Sequence, residues 1–125
     1  MEVHNFYHLN KIIPEDSVYI GRSNRNFNLL GSKFANPFPM KDQSEEERIR
    51  VITEYKDWLW KQISENNITK DELLGLTGKK LVCYCSPKLC HGDIVKATVE
   101  LLITNEAEFD NKVKVIYHSK NKIKP

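Results

Sequence analysis

The chain has 125 residues, of which 40% are hydrophobic and 29% charged, and this composition is typical of one folded domain. At this length roughly two-thirds of the unfolded surface can be buried, so folding requires neither a metal nor a disulfide. The 19 Lys and Arg against 17 Asp and Glu leave a formal charge of +2, too small to indicate nucleic acid as the main partner. With no signal-peptide pattern and no run of the ~20 apolar residues that a membrane span needs, we expect a cytoplasmic location.

The N-terminal third of the chain predicts two strands followed by a long loop. Val18–Ile20 is a short β-branched and aromatic run that stops at a glycine, which is typical of a buried strand, and Val3–Leu9 is a weaker candidate for another. The segment Arg22–Met40 has no hydrophobic period and contains prolines and aromatic residues. Loops of this length in compact domains are usually functional, and the prolines favour an extended, ordered conformation.

Two helices are predicted in the middle of the chain. The first runs from Ser44 to Asn66-Asn67, because Ser44 and Glu47 have the spacing of a capping box. Its apolar face is marked at helical spacing by Ile49, Ile52, Tyr55, Trp58, Leu59 and Ile63. A second, short helix is predicted from Thr69 to the glycines at 75 and 78.

The C-terminal half predicts strand, helix and strand. Lys80–Cys85 is a continuous apolar run, which indicates a strand covered on both faces. Ile94–Leu102 has helical periodicity, and Val113–Tyr117 is predicted to be the last strand, before a basic tail at about residues 119–125. The order of elements favours one small three-layer α/β domain over residues 1–125, with a mainly parallel sheet.

The segment Cys83–Asp93 carries most of the chemistry in the sequence. It passes from a buried strand through a proline turn to a helix start, where unpaired backbone N–H groups favour an anion. We therefore expect a phosphate or carboxylate to be held there, with Gly92 allowing close approach of the backbone. His91, Asp93 and Cys90 are the candidate catalytic residues, as acid, base or activated thiol.

Simpler interpretations of these residues stay open. In these interpretations Asp93 serves only as the helix N-cap, His91 is a solvated loop residue, and Cys83 is a small buried hydrophobe. Zinc is a further alternative, although Cys83, Cys85 and Cys90 do not have the usual C-x-x-C spacing. We expect no cofactor and keep zinc as the minority interpretation.

A second loop is predicted to meet this segment at the carboxyl ends of the strands, where ligands bind in parallel α/β sheets. Arg22 follows a strand end and is suited to bind phosphate bidentately, with Lys33 as a second positive charge. Phe34 and Phe38 offer stacking faces, and Asn36 offers an amide. The predicted ligand-binding residues on the two loops are Gly21, Arg22, Ser23, Lys33, Phe34, Asn36, Cys85, Ser86, Pro87 and Gly92.

These motifs resemble a family of small domains of unknown function found in bacteria and their viruses. The resemblance is carried by Gly21-Arg22, the Phe-x-Asn-Pro-Phe of residues 34–38, the Tyr-x-x-Trp-Leu of residues 55–59, and the Cys-x-Cys-x-Pro-x-x-Cys-His-Gly-Asp of residues 83–93. Residues 18–24 are also similar to a second uncharacterised family, with Ile-Gly-His-Ser-Asn and a later Cys-His-Arg. Both resemblances imply a Rossmann-like domain with a nucleotide-sized pocket, and neither supplies a reaction.

The leading hypothesis is therefore a protein that binds a phosphate-bearing nucleotide or nucleotide-derived signal. If the ligand is cleaved, the protein would be a nucleotide phosphodiesterase or a glycosidic-bond hydrolase. The viral distribution of the resembled family implies a counter-defence role against host nucleotide signals. The alternatives are a zinc-stabilised interaction module and an RNA-binding domain that uses the basic segment from Lys112 to Lys122. A homodimer or higher homo-oligomer is also expected.

Overall fold

A small parallel sheet forms the centre of the protein. The computed structural model describes residues 1–9, 12–27, 29–83 and 90–122. In this part of the chain β1 (Val3–Asn5), β2 (Ser17–Tyr19) and β3 (Lys80–Cys83) form a three-stranded sheet in the order β1-β3-β2. Both neighbours pair with β3 in parallel. The molecule is thus of the mixed α/β class, as predicted.

The central strand is the one with the continuous apolar sequence. Leu81, Val82 and Cys83 are all buried, and Leu81 lies opposite Val3 on one side and Val18 on the other. A strand hydrogen-bonded on both edges and covered on both faces has no polar side, which explains the absence of alternation in its sequence. The carboxyl ends of β2 and β3 therefore lie beside each other at one edge of the sheet.

The strand predicted over Val3–Leu9 is shorter than expected. It ends at Asn5, whose side-chain Oδ1 accepts a hydrogen bond of 2.9 Å from the backbone N–H of Tyr7. This local turn gives the backbone an alternative to the sheet, and a 3-10 turn follows over Phe6–Leu9. Phe6 is fully buried by this turn.

The two middle helices begin where their capping residues predict. Helix α1 covers Glu45–Ser64, with Ser44 as N-cap accepting from the Glu47 N–H, and helix α2 covers Lys70–Leu74 behind a complete Thr69–Glu72 capping box. Asn66 adopts a positive φ of 64° just beyond α1, a conformation that asparagine tolerates well. Ile49 is 51% exposed, so its predicted place on the apolar face of α1 is wrong.

The C-terminal part is helical throughout its described length. Helix α3 covers His91–Thr104 and helix α4 covers Glu106–Lys122, so the strand predicted at Val113–Tyr117 is wrong, and the predicted basic tail is helical as far as Lys122. The side chains that decide this are Phe109, which is fully buried, and Val113 and Ile116, which pack on the core. Their spacing of four and three residues matches the period of a helix.

The helices pack on one another and on the sheet. Helix α3 contacts β1 and β3, and it also contacts α1, α2 and α4, while α1 contacts α4. The core contains Tyr55 and Leu59 from α1, Val95 and Val99 from α3, and Phe109 from α4. In the described part of the chain, none of the helices combines the length and apolar character that a bilayer crossing requires.

Candidate ligand-binding site

A cavity of about 490 Å³ opens where β2 and β3 end. It is lined by Gly21, Arg22, Ser23, Asn24, Asn36, Phe38, Pro39, Met40, Gln43, Arg48, Val51, Ile52, Cys83 and His91. The turn and loop after β2 thus share one cavity with Cys83 at the end of β3 and His91 at the start of α3, while residues 84–89 lie outside the described residues. Its described lining contains two arginines and no aspartate or glutamate, so the side chains that face it carry positive charge.

The turn after β2 places Arg22 at this cavity. A Cβ atom on Gly21 would lie 2.4 Å from the Tyr19 hydroxyl, so a larger residue would require the Tyr19 ring to move. The same hydroxyl donates a 2.6 Å hydrogen bond to the Arg22 carbonyl. Arg22 Nε in turn donates to the Asn36 carbonyl at 2.7 Å, which connects the turn to the long loop. Arg22 is therefore held by both its backbone and its side chain.

The second arginine, Arg48, comes from helix α1 and was missed by the sequence analysis. It is only 6% exposed and lines the cavity together with Val51 and Ile52. A signal for it exists in the sequence, since Arg48 precedes Ile52 by four residues and so lies on the apolar face of the helix. Arginine is rarely buried to this degree, and a cation at a core-facing position indicates a specific role.

An ion pair fixes the loop that forms the outer wall of the cavity. Glu47 accepts hydrogen bonds from Arg50 Nε at 2.6 Å and from the Lys41 backbone N–H at 2.8 Å. Arg50 also donates to the Pro39 carbonyl at 3.1 Å. The hydrogen bond from Arg50, followed by that from Lys41, lowers the pKa of Glu47 from its ordinary value of 4.5 to about 2. The loop residues that line the cavity are thus held to α1 by charge.

His91 is buried, and its imidazole is engaged inside the protein at both nitrogens. Its Nε2 lies 2.8 Å from the Ile20 carbonyl and its Nδ1 lies 3.6 Å from Cys90 Sγ. The ring also packs edge-on against Tyr55, at 5.0 Å between ring centroids. Because a carbonyl oxygen only accepts, Nε2 carries the hydrogen of the neutral ring. His91 therefore connects the start of α3 to the end of β2, and an acid–base role toward a ligand would require one of these contacts to break.

The start of α3 satisfies its own polar groups. The N-cap is Cys90 rather than Asp93, and Asp93 completes a capping box by accepting from the Cys90 N–H at 2.9 Å. The Gly92 N–H donates to Cys90 Sγ at 3.4 Å, and the Asp93 N–H donates to the Cys90 carbonyl at 2.9 Å. The Gly92 and Asp93 amides and the Asp93 carboxylate thus make these hydrogen bonds within the first turn, and the anion site at this helix start stays a prediction.

Gly92 allows close packing of α3 on the sheet. A Cβ atom at this position would lie 2.9 Å from Val3 Cγ1 and 3.0 Å from Ile20 Cδ1. Gly92 is therefore the point at which the first turn of α3 meets β1 and the end of β2. The role of Gly92 in letting the backbone approach a ligand stays a prediction.

Of three other predicted ligand residues, two lie away from the cavity lining and one belongs to it. Lys33 Nζ pairs with Glu72 at 2.8 Å on helix α2, and Phe34 is buried in the core, where its carbonyl accepts from the Tyr55 hydroxyl at 2.7 Å. Neither is among the residues that line the cavity. Asn36 does line it, although its Oδ1 accepts from the Phe38 N–H at 2.9 Å and so shapes the loop.

The remaining predicted site residues include some that line the cavity and some that lie outside the described residues. Ser23 lines the cavity. Cys85, Ser86 and Pro87 lie outside the described residues. Cys83 and Cys90 are both thiols, and their sulfur atoms are 2.7 Å apart. Within the described ranges, no group of three or more His, Cys, Asp or Glu side chains is arranged to hold a metal ion.

The fold and the cavity define a small mixed α/β protein with a positively charged cavity at the carboxyl ends of parallel strands. The chain belongs to the family described as "Domain of unknown function (DUF4326)", whose model matches residues 4–101. The expected resemblance to a domain family of unknown function is therefore confirmed at the level of the family. The likeness to a second family remains a prediction.

One curated relative comes from a bacterial virus. The protein of Enterobacteria phage T4 described as "Uncharacterized 12.4 kDa protein in nrdA-td intergenic region" is 38% identical over 56 residues. The match covers 45% of this chain and 51% of the phage protein, so it spans about half of that relative's length. No solved structure matches the chain at a significant level.

Proposed function

We propose that the cavity binds a phosphate-bearing small molecule of the nucleotide class. The observation that carries this proposal is the lining itself, in which Arg22 and Arg48 face one cavity and the described lining contains no carboxylate. A ligand that enters it exchanges water for two guanidinium groups. Arginine binds phosphate through paired, charge-assisted hydrogen bonds, so a phosphate gains more here than a neutral group.

The rest of the lining suits the other parts of such a ligand. Phe38, Val51 and Ile52 provide apolar surface for a base, and the Asn24 and Gln43 side chains add amide groups. A volume of about 490 Å³ lies within the usual range for small-molecule sites. Ligand sites at the carboxyl ends of parallel strands are also characteristic of Rossmann-like domains, and we propose that relationship for this sheet.

The proposal is binding, without cleavage. Hydrolysis needs a group that can accept or give a proton at the ligand, and His91 was the predicted candidate. In the structure both of its ring nitrogens face atoms of the protein, the Ile20 carbonyl and Cys90 Sγ. Binding requires only the arginines and the apolar wall. If the ligand is a host signalling nucleotide, as the phage relative makes worth testing, sequestration alone would interfere with the signal.

The first experiment is a screen of the full chain by thermal shift. The ligands are nucleoside mono-, di- and triphosphates, cyclic mono- and dinucleotides and ADP-ribose, with the unphosphorylated nucleosides as negative controls. A ligand present at a hundred times its dissociation constant adds about 2.7 kcal/mol of stability. We expect stabilisation by at least one phosphorylated compound and none by its nucleoside. The absence of any shift across the phosphorylated set would contradict the proposal.

Matched arginine substitutions test the site itself. Arg22→Gln and Arg48→Gln should each weaken the best ligand by about 10- to 100-fold in calorimetric titration, because each removes charge-assisted hydrogen bonds worth roughly 1.5–3 kcal/mol. Arg25→Gln is the control, since Arg25 is exposed, lies three residues from Arg22 and does not line the cavity. Equal affinities for all three variants would place the ligand elsewhere. The exposed Arg22 keeps this test valid if Arg48→Gln fails to fold.

A further inference from the structure

We propose that Cys83 and Cys90 are a redox-active pair that a hydroperoxide converts to an intramolecular disulfide. Cys83 is the last residue of β3 and Cys90 is the N-cap of α3. Their Sγ atoms lie 2.7 Å apart, closer than sulfur atoms that only touch, so a covalent bond requires little movement of either segment. This site goes beyond the proposed function because it needs no bound nucleotide.

The surroundings of Cys90 favour loss of its proton. Because Nε2 of His91 donates to the Ile20 carbonyl, Nδ1 of the neutral ring is an acceptor and faces Cys90 Sγ at 3.6 Å. The backbone N–H of Gly92 also donates to this sulfur at 3.4 Å. The thiolate is the reactive form of cysteine, and both contacts stabilise it.

The oxidant has a route to the other sulfur. Both cysteines are buried, with Cys83 1% and Cys90 0% exposed, but of the two only Cys83 is among the residues that line the cavity at the carboxyl ends of the strands. A hydroperoxide is small enough to enter a cavity of about 490 Å³. Cys83 is therefore the residue that meets the oxidant, and Cys90 is the residue that resolves the product.

The reaction balances in two steps. Cys90 gives its proton to His91 Nδ1, and Cys83 gives its own proton to the Cys90 sulfur, 2.7 Å away, as it attacks one oxygen of hydrogen peroxide. The S–O bond forms, the O–O bond breaks, and the hydroxide released takes the proton from His91 to give water. Cys90 then passes its proton to His91 Nδ1 and attacks Cys83 Sγ. The S–S bond forms, the S–O bond breaks, and the departing hydroxide takes the proton from His91. Two thiols lose two electrons and two protons, and the peroxide becomes two waters.

The test uses the full chain with Cys85→Ser, which leaves Cys83 and Cys90 as its two cysteines. The protein is treated with hydrogen peroxide, quenched, unfolded and alkylated, and its intact mass is measured. We expect two alkyl groups before oxidation and none after it, with the loss of two hydrogen atoms. The control is the unfolded protein, which should react with the same peroxide. If it does, retention of both alkyl groups after treatment of the folded protein would overturn the proposal.

Peptide mapping of the wild-type chain fixes the partners. Trypsin cleaves after Lys80, Lys88 and Lys96, which separates Cys83 from Cys90 and leaves Cys85 with Cys83. Fragmentation of the linked peptides should place the bond between Cys83 and Cys90. A bond to Cys85 instead, or a stoichiometric zinc in the purified protein that protects the thiols, would overturn the assignment.

Two variants test the roles of the individual residues. In the double variant Cys85→Ser/Cys90→Ser, Cys83 should accumulate as a sulfenic acid that a 1,3-dione traps. In the double variant Cys85→Ser/Cys83→Ser, the remaining Cys90 should stay unmodified. His91→Gln keeps a donor for the Ile20 carbonyl but removes the proton acceptor. It should slow disulfide formation by about tenfold or more and flatten the pH profile of the rate, with the same final product. An unchanged rate and profile would remove His91 from the reaction.

Discussion

The start of helix α3 and the mouth of the cavity differ in the charge that their polar residues present to the cavity. At the start of α3, Cys90, His91 and Asp93 make their hydrogen bonds with groups of the protein itself. At the mouth, Arg22 and Arg48 line a space that a ligand can enter. The first region joins helix to sheet, and the second presents positive charge.

The comparison shows why a distinctive sequence motif need not be the part that meets a ligand. The segment around His91 is the most specific pattern in the chain, yet its described residues are explained by capping and by close packing of Gly92 on Val3 and Ile20. The positive charge that makes the cavity a candidate ligand site comes from two arginines in separate segments. Three substitutions test whether the start of α3 serves packing and the cavity side serves charge, in order of decreasing expected effect.

His91→Ala should reduce the free energy of unfolding by about 3 kcal/mol. It leaves the buried Ile20 carbonyl without its 2.8 Å donor, which costs about 1–3 kcal/mol, and it removes a ring packed on Tyr55, which costs about 0.5–1.5 kcal/mol. Urea unfolding followed by circular dichroism measures the change. Arg22→Gln is the comparison from the cavity mouth and should cost no more than about 0.5 kcal/mol, because it is an exposed substitution. Equal losses in the two variants would remove the distinction between the regions.

Gly92→Ala should destabilise the protein by about 1–3 kcal/mol through overpacking. The added methyl group would lie 2.9 Å from Val3 Cγ1, so helix and strand must move apart. The double variant with Val3→Ala removes the contacting methyl groups and should recover part of the loss. Thermal unfolding of the two variants measures this coupling. A stable Gly92→Ala protein with weaker ligand binding would instead assign Gly92 to the ligand.

Glu47→Gln should change the pH dependence of stability on the cavity side. The pKa of Glu47 is lowered from 4.5 to about 2 in the folded protein, so its ion pair stabilises the fold fully above about pH 4.5. This stabilisation disappears as the pH falls from about 4.5 to about 2. We therefore expect the free energy of unfolding, measured at a series of pH values, to change less with pH in that window for Glu47→Gln than for wild type. The same pH dependence of the unfolding free energy in both proteins would show that the ion pair with Arg50 does not hold the loop.

Much of the fold is determined by local sequence. The continuous apolar run of Lys80–Cys83 specifies the central strand, and the capping patterns at Ser44 and Thr69 specify two helix starts within one residue. These elements were predictable because strand burial and capping act between residues close in the chain. The meeting of the Arg22 turn with the segment that starts α3 also followed, since parallel strands end at a common edge.

Tertiary packing decided the rest. Val113–Tyr117 has the composition of a strand, yet it lies in a helix because Phe109, Val113 and Ile116 face the core at helical spacing. The role of His91 depends on the Ile20 carbonyl, 71 residues away along the chain. Arg48 shares the cavity with His91 because α1 packs against α3, and this packing joins segments far apart in the sequence. A local pattern cannot contain a contact between distant segments, so the sequence alone determined the elements, while packing determined which side chains share the cavity.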